Sequence, residues 1–423
     1  EKPALLYWMT VAAFRAGLDA DWAPRLPVAL LSAGFLLFFY RRLKDEFGAA
    51  AAGYAAAILA TSAGWVAYSH AAVFDLPLAA TLGASMLWLL GWVERADRRS
   101  LVIAAALAGA SMLAKGLVGP ALAALTLLVC AARYGPAVLG DLFRPAPVLA
   151  FGLVAAPWYL WCLARNGMPF LEEFFWRHHF TRFAAGALEH HQPVWYFLPV
   201  LALGLLPWTP LYALVGAARP WRDRRGFFLL AWAGVTVVFF SVSRDKLPGY
   251  VLPALPALAA LSGLTLARRT QPLRWTLPLC AATLALFPAA AAMLPEALNS
   301  GLGRALDQAQ VGPTALALVA ALAGAVAWAE HRGRRPLSVA CLALAAVAGY
   351  AWMKQTTFPL IDLQAGARPL WRQAAPHRDA VCLGDARRHL AYGLNYYAGR
   401  RLPDCSQDPQ PFRIEGDRVV SSQ

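Results

Sequence analysis

Long runs of mostly apolar residues, recurring through most of the chain, constrain this sequence more than any other feature. A helix that crosses the hydrocarbon core of a bilayer needs about 20 such residues. Twelve stretches read as spans: 23–40, 49–67, 76–93, 100–113, 119–133, 148–163, 195–213, 227–242, 250–266, 275–294, 313–329 and 337–352. The fourth and fifth are short and flank Lys115. Gly and Pro interrupt several of them, which membrane helices tolerate better than soluble ones. Only 15% of the residues are charged, against about 25% in an average soluble domain. A soluble globular chain and a disordered one are therefore both poor descriptions. Six cysteines in 423 residues exclude a disulfide scaffold.

The net charge of +14 has to be placed before it is interpreted. Alternate loops carry Arg41, Arg42 and Lys44; Arg95, Arg98 and Arg99; Arg219, Arg222, Arg224 and Arg225; Arg268, Arg269 and Arg274; Arg332, Arg334 and Arg335. The positive-inside rule assigns these loops to the cytoplasm, and the loop near Arg133 and Arg144 with them. The other loops and the tail after Lys354 then face outward. Most of the basic excess is a topology signal, and nucleic acid is not an expected partner.

The chain begins at Glu1 with no initiator Met and no signal sequence. Its first residues read as an outer-face amphipathic segment, so an upstream helix and part of an outer loop are expected ahead of them. The expected organisation is a transmembrane domain over 1–355 and a small outer α/β domain over 356–423. In the latter, 379–384 reads as a strand, 387–398 as a helix, and 401–403 as the start of another strand. Cys382 and Cys405 fall in that tail, where an oxidising compartment permits a disulfide; sequence leaves open whether they are close enough. No repeat of 20–50 residues is visible.

Polar groups that face outward against the positive-inside rule are the candidates for chemistry. Glu1 and Lys2 precede an aromatic-rich segment that also fits an interfacial anchor. Asp75, in AVFDLPLAA, fits a functional acid at a membrane edge or a helix N-cap followed by Pro77. Lys115, in MLAKGLVGP, could meet an anionic headgroup or snorkel to the interface. The loop 165–194 holds Glu172, Glu173, Arg177, His178, His179, Arg182, Glu189, His190 and His191 among aromatics. It fits phosphate binding through Arg, a solvated amphipathic helix, or a divalent cation between Glu and His. Its His-His pairs lack the i, i+4 zinc spacing. In SRDKLPGY, Arg244, Lys246 and Tyr250 fit a phosphate site or a simple interfacial turn. Cations, an acid and aromatics at one face suit a lipid-linked, phosphate-bearing sugar, with an acid as general base.

The segments EKPALLYW, AVFDLPLAA, LAKG, FFWRHHFTRF, HHQPVWYFLPVLALGLLPW and SRDKLPGYVLPALPAL, in that order, resemble the bacterial branch of the protein O-mannosyltransferase superfamily, family 39 glycosyltransferases. The chain is most similar to the lipid A 4-amino-4-deoxy-L-arabinose transferases of that family. The resemblance implies an all-α polytopic membrane protein of GT-C fold. It implies about 13 spans in the complete protein, an amphipathic first outer loop and a periplasmic C-terminal domain. It implies an undecaprenyl-phosphate-linked donor and an active site at the outer face of the inner membrane. Carried over residue by residue, Lys2, Arg182, Lys246 and Tyr250 would hold the donor phosphate and Asp75 would be catalytic. Glu1, Lys115, His190 and His191 would line the cavity. The family's principal catalytic aspartate would lie ahead of Glu1, so residues 1–423 alone are expected to be inactive.

The reaction so implied displaces undecaprenyl phosphate from the anomeric carbon, with lipid A as acceptor and no cofactor required. Another sugar with a protein or glycan acceptor is the first alternative. A lipid or solute transporter would instead show mid-bilayer charges and repeat symmetry.

Overall fold

A computed structural model of the chain describes residues 2–172, 174, 192–416 and 418–421. Among them the structure is mostly helical, with one small sheet near the C-terminus. The first helices are α1 (Leu5–Arg15), α2 (Leu26–Phe47), α3 (Ala49–Thr61), α4 (Ala63–Ser69), α5 (Asp75–Arg95), α6 (Arg98–Lys115), α7 (Val118–Tyr134) and α8 (Pro145–Asn166).

All twelve apolar stretches are helical, and they differ in how well each would cross a bilayer. Among the described residues eight helices are long and apolar enough to span: α2, α5, α8, Arg224–Val242, Pro248–Arg268, Thr276–Leu298, Pro313–His331 and Arg335–Thr356. Two further stretches are bent pairs. α3 and α4 meet at 62°, and Val194–Gly204 and Thr209–Ala217 meet at 115°. The remaining two, α6 and α7, are the pair around Lys115. α6 carries Arg98, Arg99 and Lys115 at its two ends, and α7 has 17 residues. The chain is a multi-pass membrane protein, and among its described residues eight helices qualify as spans by length and composition, or ten if each bent pair counts as one.

The α3–α4 break has a tertiary cause. The Ala63 amide donates to the Leu206 carbonyl at 2.9 Å instead of continuing the helical ladder. Gly64 then lies against Gly204, where an added Cβ would stand 3.2 Å from the Gly204 Cα. Trp208 Nε1 donates to the Thr61 hydroxyl at 2.9 Å, and Trp65 Nε1 to Ser32 at 2.9 Å. Each buried indole thereby meets its hydrogen-bond requirement. These contacts join the two bent pairs beside one another.

The chain divides into two compact units, Glu1–Ala281 with Ala323–Ala343, and Ala282–Leu322 with Leu344–Gln423. The second therefore takes in helical segments ahead of the boundary expected at 355. In the first unit α5 is buried along most of its length, against α2, α6 and the helix Pro248–Arg268. At the arginine-rich end of α5, Glu46 has no exposed side-chain surface. Arg95 grips it through two bonds of 2.6 and 2.8 Å, Arg42 approaches to 3.5 Å, and Arg225 donates to the Glu46 carbonyl at 2.5 Å.

The second unit carries the sheet. Its strands are β1 (Val381–Leu383), β2 (Phe412–Glu415) and β3 (Arg418–Ser421), in the order β1-β2-β3. β1 and β2 are parallel, and β2 and β3 antiparallel. The segment expected to start a strand at 401–403 instead makes one bridge, Leu383 to Asp404. Leu370, Ala374, Val381, Leu394, Leu402 and Ile414 form the core under the helix Arg388–Ala398. Cys382 and Cys405 are disulfide-bonded, with Cα atoms 5.1 Å apart.

Candidate active site

Three elements bring their ends together at the face opposite the arginine-rich one. Asp75 is the first residue of α5, and its side chain caps no backbone amide. The N-cap reading is thus not the one the fold uses. The carboxylate instead accepts a bond from Lys115 Nζ at 2.6 Å. Its position at a helix N-terminus is favourable to a negative charge.

Lys115 ends α6, where a cation suits the C-terminal end of the helix dipole. Gly116 follows with φ of +78°, a conformation that favours glycine and turns the chain directly into α7. The lysine therefore points back at α5 instead of snorkelling away. Its ammonium also stands 4.5 Å from the centroid of the Tyr250 ring, a cation–π distance. The pair is only partly covered, with 22% of the Lys115 side chain and 17% of the Asp75 side chain exposed. A ligand can reach both.

Tyr250 sits in the 3-10 helix Pro248–Ala254, its ring 5.0 Å from that of Phe240. Gly249 before it has no room for a side chain. A Cβ there would lie 2.7 Å from the Tyr68 hydroxyl and 2.8 Å from the Asp75 carboxyl carbon. Tyr68, at the end of the broken α3–α4 span, is thus part of the site, although no local pattern marks it. The bend that carries it here depends on contacts between distant segments.

α1 packs close by. Tyr7 meets Phe74, the residue before Asp75, edge to face at 5.7 Å. Leu5 packs against the cluster of Met112, Leu113, Ala155, Tyr159 and Phe174. Trp8, Val11 and Phe14 face outward, as an interfacial helix requires. Lys2, partly buried, stands just ahead of this helix.

Lys246, expected among the phosphate ligands, lies where backbone carbonyls engage part of its ammonium. It is buried, and its ammonium donates to the carbonyls of Ser243 at 2.6 Å and Gln192 at 3.0 Å. Two of its three donors are committed to backbone. Glu1, Arg182, His190 and His191 lie outside the described residues. Among the described residues no group of three or more His, Cys, Asp or Glu is placed to hold a metal ion.

Comparison with known proteins bears on the family and the fold. Residues 1–166 match the family model described as dolichyl-phosphate-mannose-protein mannosyltransferase. The undecaprenyl phosphate-alpha-4-amino-4-deoxy-L-arabinose arabinosyl transferase of Yersinia pestis (strain Pestoides F) is 37% identical over 147 residues, which is 34% of this chain and 26% of that protein. The transferase of the same description from Edwardsiella ictaluri (strain 93-146) is 32% identical over 276 residues, 62% of this chain and 49% of that protein. The matched regions thus cover half or less of those curated relatives. Among solved structures, ArnT from Cupriavidus metallidurans bound to undecaprenyl phosphate aligns with a TM-score of 0.76 and 26% identity, over 95% of this chain and 75% of that one. Its apo state gives 0.76 and 25%, over 98% and 82%. The similarity to family 39 glycosyltransferases read from the motifs is therefore shared by the family model, the curated sequences and the fold.

Proposed function

We propose that this relative of the arabinosyl transferases is an integral membrane glycosyltransferase that moves a sugar from a polyprenyl-phosphate donor to an acceptor at the periplasmic face of the inner membrane. The favoured pair is 4-amino-4-deoxy-L-arabinose and lipid A. The observation that carries this reading is the Asp75–Lys115–Tyr250 cluster at one membrane face. It lies at the other end of the same helices from the arginines that the positive-inside rule assigns to the cytoplasm, about 30 Å away along α5.

In the reaction an oxygen of an acceptor hydroxyl or phosphate bonds the anomeric carbon, a hydroxyl losing its proton to a base as it does so. The bond from that carbon to the phosphate oxygen breaks, and undecaprenyl phosphate leaves with the electron pair. Negative charge therefore grows on the phosphate. A cation already held in place stabilises it without reorganisation at the moment of reaction. Lys115 is such a cation, fixed by Asp75 on one side and the Tyr250 ring on the other. Lys2 and Arg182 are assigned to the same phosphate. Lys246 is assigned to the loop that presents Tyr250, through its bonds to Ser243 and Gln192. Asp75 orients Lys115, and it is the described carboxylate placed to receive the acceptor proton. The chemistry so written calls for no cofactor.

Mass spectrometry of lipid A from cells with and without the gene tests the proposal. An added aminopentose mass that depends on the gene is the expected result. Unchanged lipid A, with a different gene-dependent glycan or glycoprotein, would transfer the assignment to another acceptor of the same chemistry. Gene-dependent accumulation of an unmodified solute in vesicles, with no glycosylated product, would overturn it in favour of transport.

A further inference from the structure

At the arginine-rich face, far from the Asp75 cluster, a pocket of about 210 Å³ opens between the start of α3, the end of the helix Pro248–Arg268, and the turn joining Pro313–His331 to Arg335–Thr356. That is room for several waters at roughly 30 Å³ each, or for one small headgroup. Tyr54, Arg269, Thr270, Glu330 and Arg335 contribute its polar lining.

Glu330 is 1% exposed, yet only one of its carboxylate oxygens is engaged. Oε2 accepts from the Leu273 amide at 3.0 Å and from Arg335 at 3.3 Å, whereas Oε1 is buried with no hydrogen-bond partner. Arg335 mirrors it. Its terminal nitrogens donate to the carbonyls of Leu266, Arg269 and Gln271, closing off the end of the helix Pro248–Arg268. Its buried Nε has no partner among the described residues. Glu330 and Arg335 thus both line the pocket, and each keeps one buried polar atom without a partner among the described residues, with Arg269 beside them. Leaving such groups bare costs more than leaving neutral ones bare.

The flanks set the depth of the pocket. Trp328 is 51% exposed and lies under Arg332 and Arg334, and Trp275 is 79% exposed. Exposed tryptophans beside arginines mark the headgroup layer of a bilayer. An occupant at that depth that both donates and accepts, with a positive and a negative group, is a zwitterionic headgroup.

We propose that this pocket binds a phospholipid headgroup with a primary ammonium and a phosphodiester, the phosphoethanolamine type. The ammonium supplies the donor that Glu330 Oε1 lacks. The phosphate faces Arg335 and Arg269. A quaternary ammonium has no N–H to give, and a glycerol headgroup has no cation, so both fit less well.

The test is native mass spectrometry of the delipidated full chain, titrated in turn with dioleoyl phosphatidylethanolamine, phosphatidylglycerol and phosphatidylcholine. One charge-assisted bond corresponds to about a tenfold preference for the ethanolamine lipid over each of the others. Glu330→Gln should remove that preference. Arg269→Gln should weaken retention of the ethanolamine lipid while leaving the Arg269 carbonyl that Arg335 uses, so it carries the test if the first variant folds poorly. Glu415→Gln, in the C-terminal sheet, should change nothing. Equal retention of the three lipids, retention of none, or a preference that survives both pocket variants would overturn the proposal. The readout is lipid binding alone, so its failure would leave the sugar-transfer reading untouched.

Discussion

Lys115 Nζ stands 2.6 Å from Asp75 Oδ1 and 4.5 Å from the centre of the Tyr250 ring, so three elements distant in sequence converge on one ammonium. If the three act as a unit, their substitutions will not add. Lys115→Met and Asp75→Asn should each lower sugar transfer by about 10²-fold or more. The double variant should be no worse than the poorer single one. A partly exposed ion pair contributes about 1 kcal/mol or less to stability, so all three proteins should still insert and melt normally. Transfer measured with an undecaprenyl-phosphate sugar checks this, and multiplicative losses would separate the two roles.

Gly249→Ala should disturb the same place sterically. Its Cβ would fall 2.7 Å from the Tyr68 hydroxyl and 2.8 Å from the Asp75 carboxyl carbon. Overpacking of this kind costs about 1–3 kcal/mol. A lowered unfolding temperature together with reduced transfer is expected. Gly303→Ala, which meets nothing within 4 Å, is the matched control and should leave both unchanged.

Glu46→Ala should be far more harmful to the fold than its distance from the site suggests. It strands Arg95, leaves Arg42 with only its 3.6 Å approach to Asp45, the Leu87 carbonyl and the Trp88 ring, and leaves Arg225 with the Glu46 carbonyl and its 3.4 Å approach to Glu94. Breaking a buried ion cluster by removing one partner costs about 3–5 kcal/mol. Thermal unfolding in detergent should show a large drop. Asp45→Ala next to it, with 64% of the side chain exposed, should change stability by no more than about 0.5 kcal/mol.

Cys382 and Cys405 close a loop with a sequence separation of 23. A cross-link over a loop of that size stabilises by about 3 kcal/mol in the chain-entropy account. Unreduced protein should therefore show both cysteines protected from alkylation. Cys382→Ser, or reduction, should expose the strands β1 to β3 to proteolysis while the first unit stays intact.

Asp97 caps α6, accepting bonds from the Ser100 hydroxyl and the amides of Arg99 and Ser100. The Ser100 hydroxyl, then those amides, hold its carboxyl below the usual range. A depressed folded-state value means the stabilisation is complete above the unfolded value, about 3.9, and is lost as pH falls through the folded one. Asp97→Ala should accordingly lower stability at neutral pH, with the gap to the native protein closing below about pH 4.

Much of this protein was legible where the signal is local. A run of apolar residues states its own burial, so the twelve helical stretches were readable even though α6 and α7 fall short of a simple span. Asp75, Lys115 and Tyr250 each stood out because polar groups beside apolar runs are few. Their pairing was not readable, because it depends on which ends of α5 and α6 meet. Lys246 shows the same limit in reverse. A cation in an outer loop suggests a phosphate, and only the folded backbone reveals that carbonyls of Ser243 and Gln192 take two of its three donors. Tyr68 needed the bend after Thr61, which rests on Leu206 and Gly204 far along the chain. Strands β2 and β3, four residues each, are too short for an alternating pattern to stand out.

The Glu46 cluster also fixes the rotational phase of the helices that meet there. Successive residues of a helix are turned by about 100°. Inserting or deleting a single residue in α2 ahead of Glu46 would swing its carboxylate off the bearing of Arg95 and Arg225. Natural or engineered length changes in this part of the protein should therefore gather in the loops beyond the cluster, and whole-helix exchange between relatives should succeed only when the donor segment arrives with the same angular setting.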